Sequence, residues 1–297
     1  MKRAGLIIMS ALLLFTACGQ KKDEPVKKEI GLQFYSIRSV IGNPELYAAN
    51  HEEAFKALAE MGYTAVEAAS YNDGKLYGVD PEQYKADLEA AGLKSLSSHI
   101  GHNLSPEELE SGNFEESMKW WDQAIAAHKA AGCKYIVTPS FRIPETLAGL
   151  KTYCDYFNAI GKKCAENGIL YGYHNHAHEF NKIEDKVIYD FMLENTDPKY
   201  VFFEMDVYWA CMGRAYPVEY FRKYPGRFTM LHIKDEWEVG QSGMVGFDAI
   251  FKNAELAGLK DFVVEIERYS YEDIRKSFQE SADYLLNAPF VKATYAE

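Results

Sequence analysis

The sequence predicts a single (β/α)8 TIM barrel of the α/β class, and three observations carry the prediction. The first is a recurring unit in which an amphipathic helix ends in a small residue and Gly and a short β-rich run follows. It reads AEMGYTAVEAA, EAAGLKSLSSH, KAAGCKYIVTP, AENGILYGYHN and ELAGLKDFVVE. The second is that DPKYVFFEMD and PGRFTMLHIKD keep the strand without the helix–Gly signature, and EIGLQFY opens the series, which makes eight strands. The third is length: 297 residues hold one barrel of about 250 residues plus a leader. Strands rich in Val, Ile, Phe and Tyr alternating with helices indicate parallel βαβ units. An open doubly wound sheet is the alternative, but no GxGxxG follows the first strand.

Taken in order, residues 1–18 read as targeting. Lys2 and Arg3 precede an apolar run from Ala4 to Phe15, and Leu14-Phe15-Thr16-Ala17-Cys18 ends it. A basic start, a short apolar stretch and small residues form a signal peptide too short to span a bilayer. The last five residues resemble the lipobox of bacterial lipoproteins, which implies lipidation of Cys18. The expectation is therefore an exported lipoprotein, periplasmic or at the cell surface, held to the membrane through its N-terminal lipid only. Residues 19–29 are polar and Lys/Glu-rich, a tether, and residues 30–297 are the barrel domain. Within it Gly62, Gly92, Gly132, Gly168 and Gly258 fall where a helix ends in a left-handed cap.

A formal charge of −12 gives no electrostatic footprint for DNA or RNA. Aromatic residues make up 14% of the chain, enough for a well-filled barrel and for faces lining a sugar site. The cysteines downstream of the leader, Cys133, Cys154, Cys164 and Cys211, form no CxxC pair. Cys154 and Cys164 sit ten residues apart on one expected helix, about 15 Å, too far for a disulfide.

In this architecture chemistry gathers at the C-terminal ends of the strands. Strand one ends in Gln33-Phe34-Tyr35, strand two near Glu67, strand three at His99 and strand four at Thr138-Pro139. Strand five ends in Tyr173-His174-Asn175-His176, followed by His178-Glu179, and strand six in Glu204-Met205-Asp206. Strand seven ends in His232-Ile233-Lys234 and strand eight in Glu265-Ile266-Glu267. Side chains two apart share a face, which pairs His174 with His176, Glu204 with Asp206, His232 with Lys234 and Glu265 with Glu267. His, Asp, His and Glu thus converge from four successive strands. Imidazole with carboxylate suits Mn²⁺, Zn²⁺, Fe²⁺ or Co²⁺ rather than an all-oxygen Ca²⁺ cage. A single such residue is commonly a structural hydrogen-bonding group. Six of eight histidines at or just after strand ends are costly to bury unless a metal or substrate pairs them.

The segments GLQFYSIR, GYTAVEAA, GLKSLSSH, YGYHNHAHEF, MDVYWACMG, RFTMLHIKD and VVEIE resemble, in order, the sugar phosphate isomerase/epimerase family of xylose isomerase-like barrels. The resemblance runs from about Ile30 to Arg268. It implies one divalent ion (Mn, Zn, Co, Fe or Mg) held by Asp206, His232 and Glu265. The family's first ligand, a Glu, falls on His174 here. That departure leaves His174, His176 or Glu179 as the fourth ligand and removes one of the two carboxylates of the family's epimerases.

The implied activity is proton abstraction beside a carbonyl, with the metal stabilising the enediolate. Glu265 or Glu267 is expected as base, His174 or His176 as acid and Lys234 as the group that orients hydroxyls or steadies the oxyanion. Gln33, Tyr35, Glu67, His99, Glu179 and Trp209 are the candidates for contacting the substrate. Return of the proton gives isomerisation or epimerisation; loss of a β-leaving group from a 3-keto-glycoside gives elimination, which needs only one strong base. Export and the scatter of Arg142, Arg214, Lys234 and Arg268 point to an unphosphorylated sugar or glycoside. A carbohydrate-binding lipoprotein without turnover is the alternative of another class. An apurinic-site nuclease is disfavoured by acidity and too few ligands.

Overall fold

The computed structural model describes residues 27–295. The expected lipidation site Cys18 lies outside the described residues. Eight parallel strands are present: β1 Gly31–Gln33, β2 Ala65–Ala68, β3 Lys94–Ser98, β4 Tyr135–Thr138, β5 Leu170–His174, β6 Val201–Asp206, β7 Met230–Lys234 and β8 Asp261–Glu265. They lie in the order 3-2-1-8-7-6-5-4. The remaining gap between β3 and β4 is closed by a parallel bridge, His99 to Val137, and by the Lys134 amide donating to the Leu96 carbonyl at 2.9 Å. The result is a single closed (β/α)8 barrel.

One principal helix follows each strand: α1 Pro44–Glu60, α2 Pro81–Ala90, α3 Glu115–Ala130, α4 Leu147–Glu166, α5 Ile188–Asn195, α6 Pro217–Lys223, α7 Phe247–Lys252 and α8 Ile274–Asn287. Their starts are written in the sequence. Asn43 and Thr146 cap α1 and α4 through their side-chain oxygens, and Pro44, Pro81 and Pro217 occupy first helical positions where no N–H is needed. All five glycines of the repeat have positive φ, from +79° to +103°, as a left-handed turn out of a helix demands. Cys154 and Cys164 share α4 and are unpaired; burial pushes the thiols of Cys133, Cys154 and Cys164 up to about 12, so they are inert core groups. No helix among the described residues is long and apolar enough to cross a membrane.

The barrel interior is divided along its axis. Its N-terminal half is an apolar plug of Tyr135, Val137, Phe202, Met230 and Val263, with Leu96 packed against it. Gly172 makes room for the plug, since a Cβ there would come within 2.4 Å of the Phe202 ring. The outward-facing residues Phe203, Met205, Leu231, Ile233 and Val264 join the core under the helices. Above the plug the inward positions turn polar. Gln33 is paired in register with Glu67, Glu204 with His174, Asp206 with His232 and Lys234 with Glu265.

His128, on the buried face of α3, is a histidine outside this layer. Its Nδ1 lies 2.7 Å from the Ala124 carbonyl, its Nε2 has no partner, and its ring packs on Tyr71. Burial lowers its pKa from 6.5 to about 4, against the raising effect of the Ala124 carbonyl. The folded state therefore refuses a proton that the unfolded chain accepts. The associated stability is complete above pH 6.5 and is lost as pH falls toward 4. Urea unfolding at pH 8 and pH 5 is expected to give a wild-type loss about 2 kcal/mol larger than that of His128→Gln. Equal losses in the two proteins would remove His128 from the acid sensitivity.

Candidate active site

The polar layer brings the strand-end residues into two groups that share His232. On the β5–β8 side, His174, Asp206 and His232 offer ligand atoms within 4.8 Å of one another. The Asp206 Oδ2 atom lies 3.2 Å from His232 Nδ1 and 3.6 Å from His174 Nε2. Glu265 Oε2 approaches the same His232 Nδ1 at 3.8 Å. On the β2–β3 side, His99 Nε2 lies 3.0 Å from Glu67 Oε1 and 2.8 Å from Glu204 Oε2, and His232 Nε2 lies 3.4 Å from Glu67 Oε1. The two edges of one imidazole ring thus face two sets of carboxylates.

Local structure fixes these groups before any ligand arrives. Asp206 ends β6 and caps the short helix Val207–Met212, so its Oδ1 accepts from the Trp209 amide at 2.7 Å and leaves Oδ2 to the histidines. Asn175 clamps the same turn, accepting from the Asp206 amide and donating to the Asp206 carbonyl. Gln33 Nε2 donates to Glu67 Oε1 at 2.7 Å. Lys234 Nζ bridges Glu265 and Glu267 at 2.9 and 2.8 Å. Four imidazoles pack together, with His174 4.6 Å from His232, 4.9 Å from His99 and 5.0 Å from His176 between ring centres.

Burying this many carboxylates is tolerable only with matched positive charge. Burial pushes the carboxyls of Glu67, Asp206 and Glu265 upward, but neighbouring imidazoles and the Lys234 ammonium outweigh it and hold all three below the usual range. His99 and His232 act on Glu67, His174 and His232 on Asp206, and His232 with Lys234 on Glu265. The response of the cations is reciprocal. Burial opposes the charge on His99, yet Glu67 and Glu204 raise it to about 9, while His232 and Lys234 are raised by Asp206 and Glu265 respectively. His176 behaves differently: burial, then the charge of His174, lower it to about 3, so its ring is neutral at physiological pH.

Several polar atoms remain unsatisfied. Both ring nitrogens of His174, His232 Nε2, Glu67 Oε2, Glu204 Oε1, His176 Nδ1 and Trp209 Nε1 are buried without a hydrogen-bond partner. Orphaned buried donors and acceptors are rare in folded proteins and mark places that a ligand or ion completes. The mixed imidazole and carboxylate donors fit a divalent transition metal.

The residues expected from the sequence are distributed as follows. Asp206, His232, Glu265, His174 and Lys234 come together at the C-terminal end of the barrel, with Glu267 at its rim. His99 and Glu67 also enter the cluster, Glu67 fully buried against Gln33. Trp209 flanks the site, its ring centre 5.8 Å from both Lys234 Nζ and the His176 ring centre. Tyr35 is 44% exposed with Arg38 over its ring. Glu179 stands apart from the ligand groups, accepting from Tyr173 Oη at 2.6 Å and from the His176 amide at 2.9 Å. Two contributors were not assigned from the sequence. Glu204 was legible only as sharing a face with Asp206, and the Asn175 clamp had no signal beyond its place in the strand end.

A closed parallel barrel with a convergent His/Asp/Glu cluster at its strand ends defines the class of protein. The sequence model of the xylose isomerase-like TIM barrel family matches residues 55–288, and the chain belongs to that family. Two solved structures named sugar phosphate isomerase/epimerase, both from Parabacteroides distasonis ATCC 8503, are similar along nearly their whole length. One is 34% identical, covering 90% of this chain and 96% of its own with a TM-score of 0.80. The other is 38% identical, covering 89% of this chain and 100% of its own with a TM-score of 0.80. A 3-keto-D-glucoside 4-epimerase from E. coli, 23% identical, shares the fold over 87% of this chain and 98% of its own, with a TM-score of 0.61. No curated protein sequence matches the chain.

Proposed function

We propose that the protein is a metal-dependent isomerase or epimerase that removes a proton beside the carbonyl of an unphosphorylated sugar or keto-sugar. The observation that carries this reading is the asymmetry around Asp206 and His232. Glu265 and Glu267 line one side, bridged by the Lys234 ammonium, and His174 and His176 line the other. In the proposal Asp206, His232, Glu265 and His174 hold one divalent ion. When bound, the ion supplies Lewis-acid stabilisation of negative charge on a carbonyl oxygen. Glu267, at the rim, takes the proton, and Lys234 beneath it orients the substrate oxygens. His176 Nδ1 and Trp209 Nε1, both lacking partners, receive the sugar hydroxyls. Lys234 is committed to two carboxylates and Arg268 lies 3.7 Å from Glu236, which favours an uncharged sugar over a phosphate ester.

One observation favours a second reading, elimination from a 3-keto-glycoside. The wall opposite Glu267 carries imidazoles in place of a carboxylate, and His176 is neutral, so two-base inversion lacks a matched partner. Incubation of the metal-loaded protein with keto-sugars and 3-keto-glycosides in D₂O separates the readings. Deuterium at the carbon beside the carbonyl with the skeleton intact is the expected result, and release of the aglycone with an unsaturated product identifies elimination. Sugars that bind without exchange or release would reduce the protein to a binding lipoprotein.

The reading also places the protein outside the cytoplasm, anchored through an acylated Cys18. Cys18→Ser is expected to lose labelling by a fatty-acid probe and to leave the membrane fraction. Unchanged labelling and fractionation would sink the anchor.

A further inference from the structure

We propose that the protein has a second metal centre, distinct from the one used above, formed by Glu67 of β2, His99 just after β3 and Glu204 of β6, with His232 Nε2 facing it. These four residues offer ligand atoms within 4.8 Å of one another, and none of Glu67, His99 and Glu204 belongs to the Asp206 group. His99 Nε2 lies 2.8 Å from one carboxylate oxygen and 3.0 Å from another, while His232 Nε2 is 3.4 Å from Glu67. Donor atoms around a four-coordinate ion with bonds of about 2.0–2.2 Å are separated by about 3.3–3.6 Å, so the His99 contacts need a few tenths of an ångström of expansion and the widest separations, within 4.8 Å, need at most about 1 Å of contraction.

Hydrogen bonding alone leaves this cluster incomplete. A single Nε2–H on His99 cannot serve two carboxylate oxygens at full strength. Glu67 Oε2, Glu204 Oε1 and His232 Nε2 meanwhile stay buried without partners, on residues of zero exposure. One divalent ion satisfies the arrangement at once, because two carboxylates and the neutral His99 imidazole around it sum to zero charge in a site removed from water. His232, whose neutral ring has one free lone pair, joins both ions only as an imidazolate whose charge the two share. The donor set of two nitrogens and two carboxylates suits Zn²⁺, Mn²⁺, Fe²⁺ or Co²⁺. His232 then stands between the two centres, presenting Nδ1 to the Asp206 group and Nε2 to the Glu67 group.

The test is metal stoichiometry of the full-length chain in detergent, stripped with chelator, reloaded with Mn²⁺ and analysed by plasma mass spectrometry. Two ions per chain are expected, with a magnetically coupled Mn²⁺ pair in the paramagnetic resonance spectrum. His99→Gln and Glu204→Gln should each retain one ion and lose the coupling, and Asp206→Asn should retain the other ion. Saturation at one ion in wild type, abolished by Asp206→Asn and indifferent to His99→Gln, would overturn the second centre and leave the proposed reaction standing. Two uncoupled ions that survive both His99→Gln and Glu204→Gln would also overturn it. A wild-type chain that binds no ion ends both this proposal and the metal-dependent reaction.

Discussion

Replacing His232 by alanine is expected to remove metal and turnover together. The ring is fully buried and stands at the junction of the site, 3.2 Å from Asp206, 3.4 Å from Glu67 and 3.8 Å from Glu265. A partner that merely orients a ligand is worth about 10–100-fold in metal affinity, so loss of a ligand itself should exceed that range. Activity should fall in proportion, because the carbonyl loses the charge that stabilises its developing oxyanion. The substitution also strips a counter-charge from three buried carboxylates. Breaking a buried pair costs about 3–5 kcal/mol, so stability of the metal-free protein should fall as well. His232→Gln keeps a neutral polar group and serves as the control: circular dichroism should report an intact barrel while metal content drops. A folded variant of either kind that retains wild-type metal and turnover would remove His232 from the centre.

How far the site could be read in advance depends on the distance over which residues meet. The helix–Gly–strand units were legible because each is local: an apolar helix face, a left-handed glycine, then a β-rich run. Period-two alternation along single strands likewise put Asp206 beside Glu204 and Lys234 above His232, and both pairs point inward. The pairing of His99 with Glu204 was not legible. The two residues are 105 positions apart on strands that are not neighbours, and their meeting depends on how strand tilt and closure across β3 and β4 set the height of each residue in the lumen. The loop after β5 was harder still. YHNHAHEF offers five polar side chains in eight residues, and only the 3₁₀ turn His178–Phe180 decides that Glu179 folds back onto Tyr173 and the His176 amide rather than reaching the ligand group.

Among these groups Glu267 carries the sharpest expectation: Glu267→Gln should abolish turnover and leave metal binding intact. Glu265 at the end of β8 and Glu267 just beyond it both touch Lys234, but their situations differ. The Glu265 side chain is 8% exposed and faces His232, whereas that of Glu267 is 33% exposed and lies just past the strand at the rim. A substrate entering from the mouth meets Glu267 first, while Glu265 is turned toward the ligand group. Glutamine keeps the shape and an oxygen for Lys234 but has no basicity, so what it removes is proton acceptance alone. A positioned acid or base contributes about 10²–10⁴-fold, and the rate should fall by that factor with metal content unchanged. Glu265→Gln, by contrast, should weaken metal binding and activity together. Deuterium exchange into bound keto-sugar provides the readout closest to the step itself, and it should vanish in Glu267→Gln even where the sugar still binds. Exchange at the wild-type rate in that variant would place the base elsewhere, with Glu265 or His176 next to be tested.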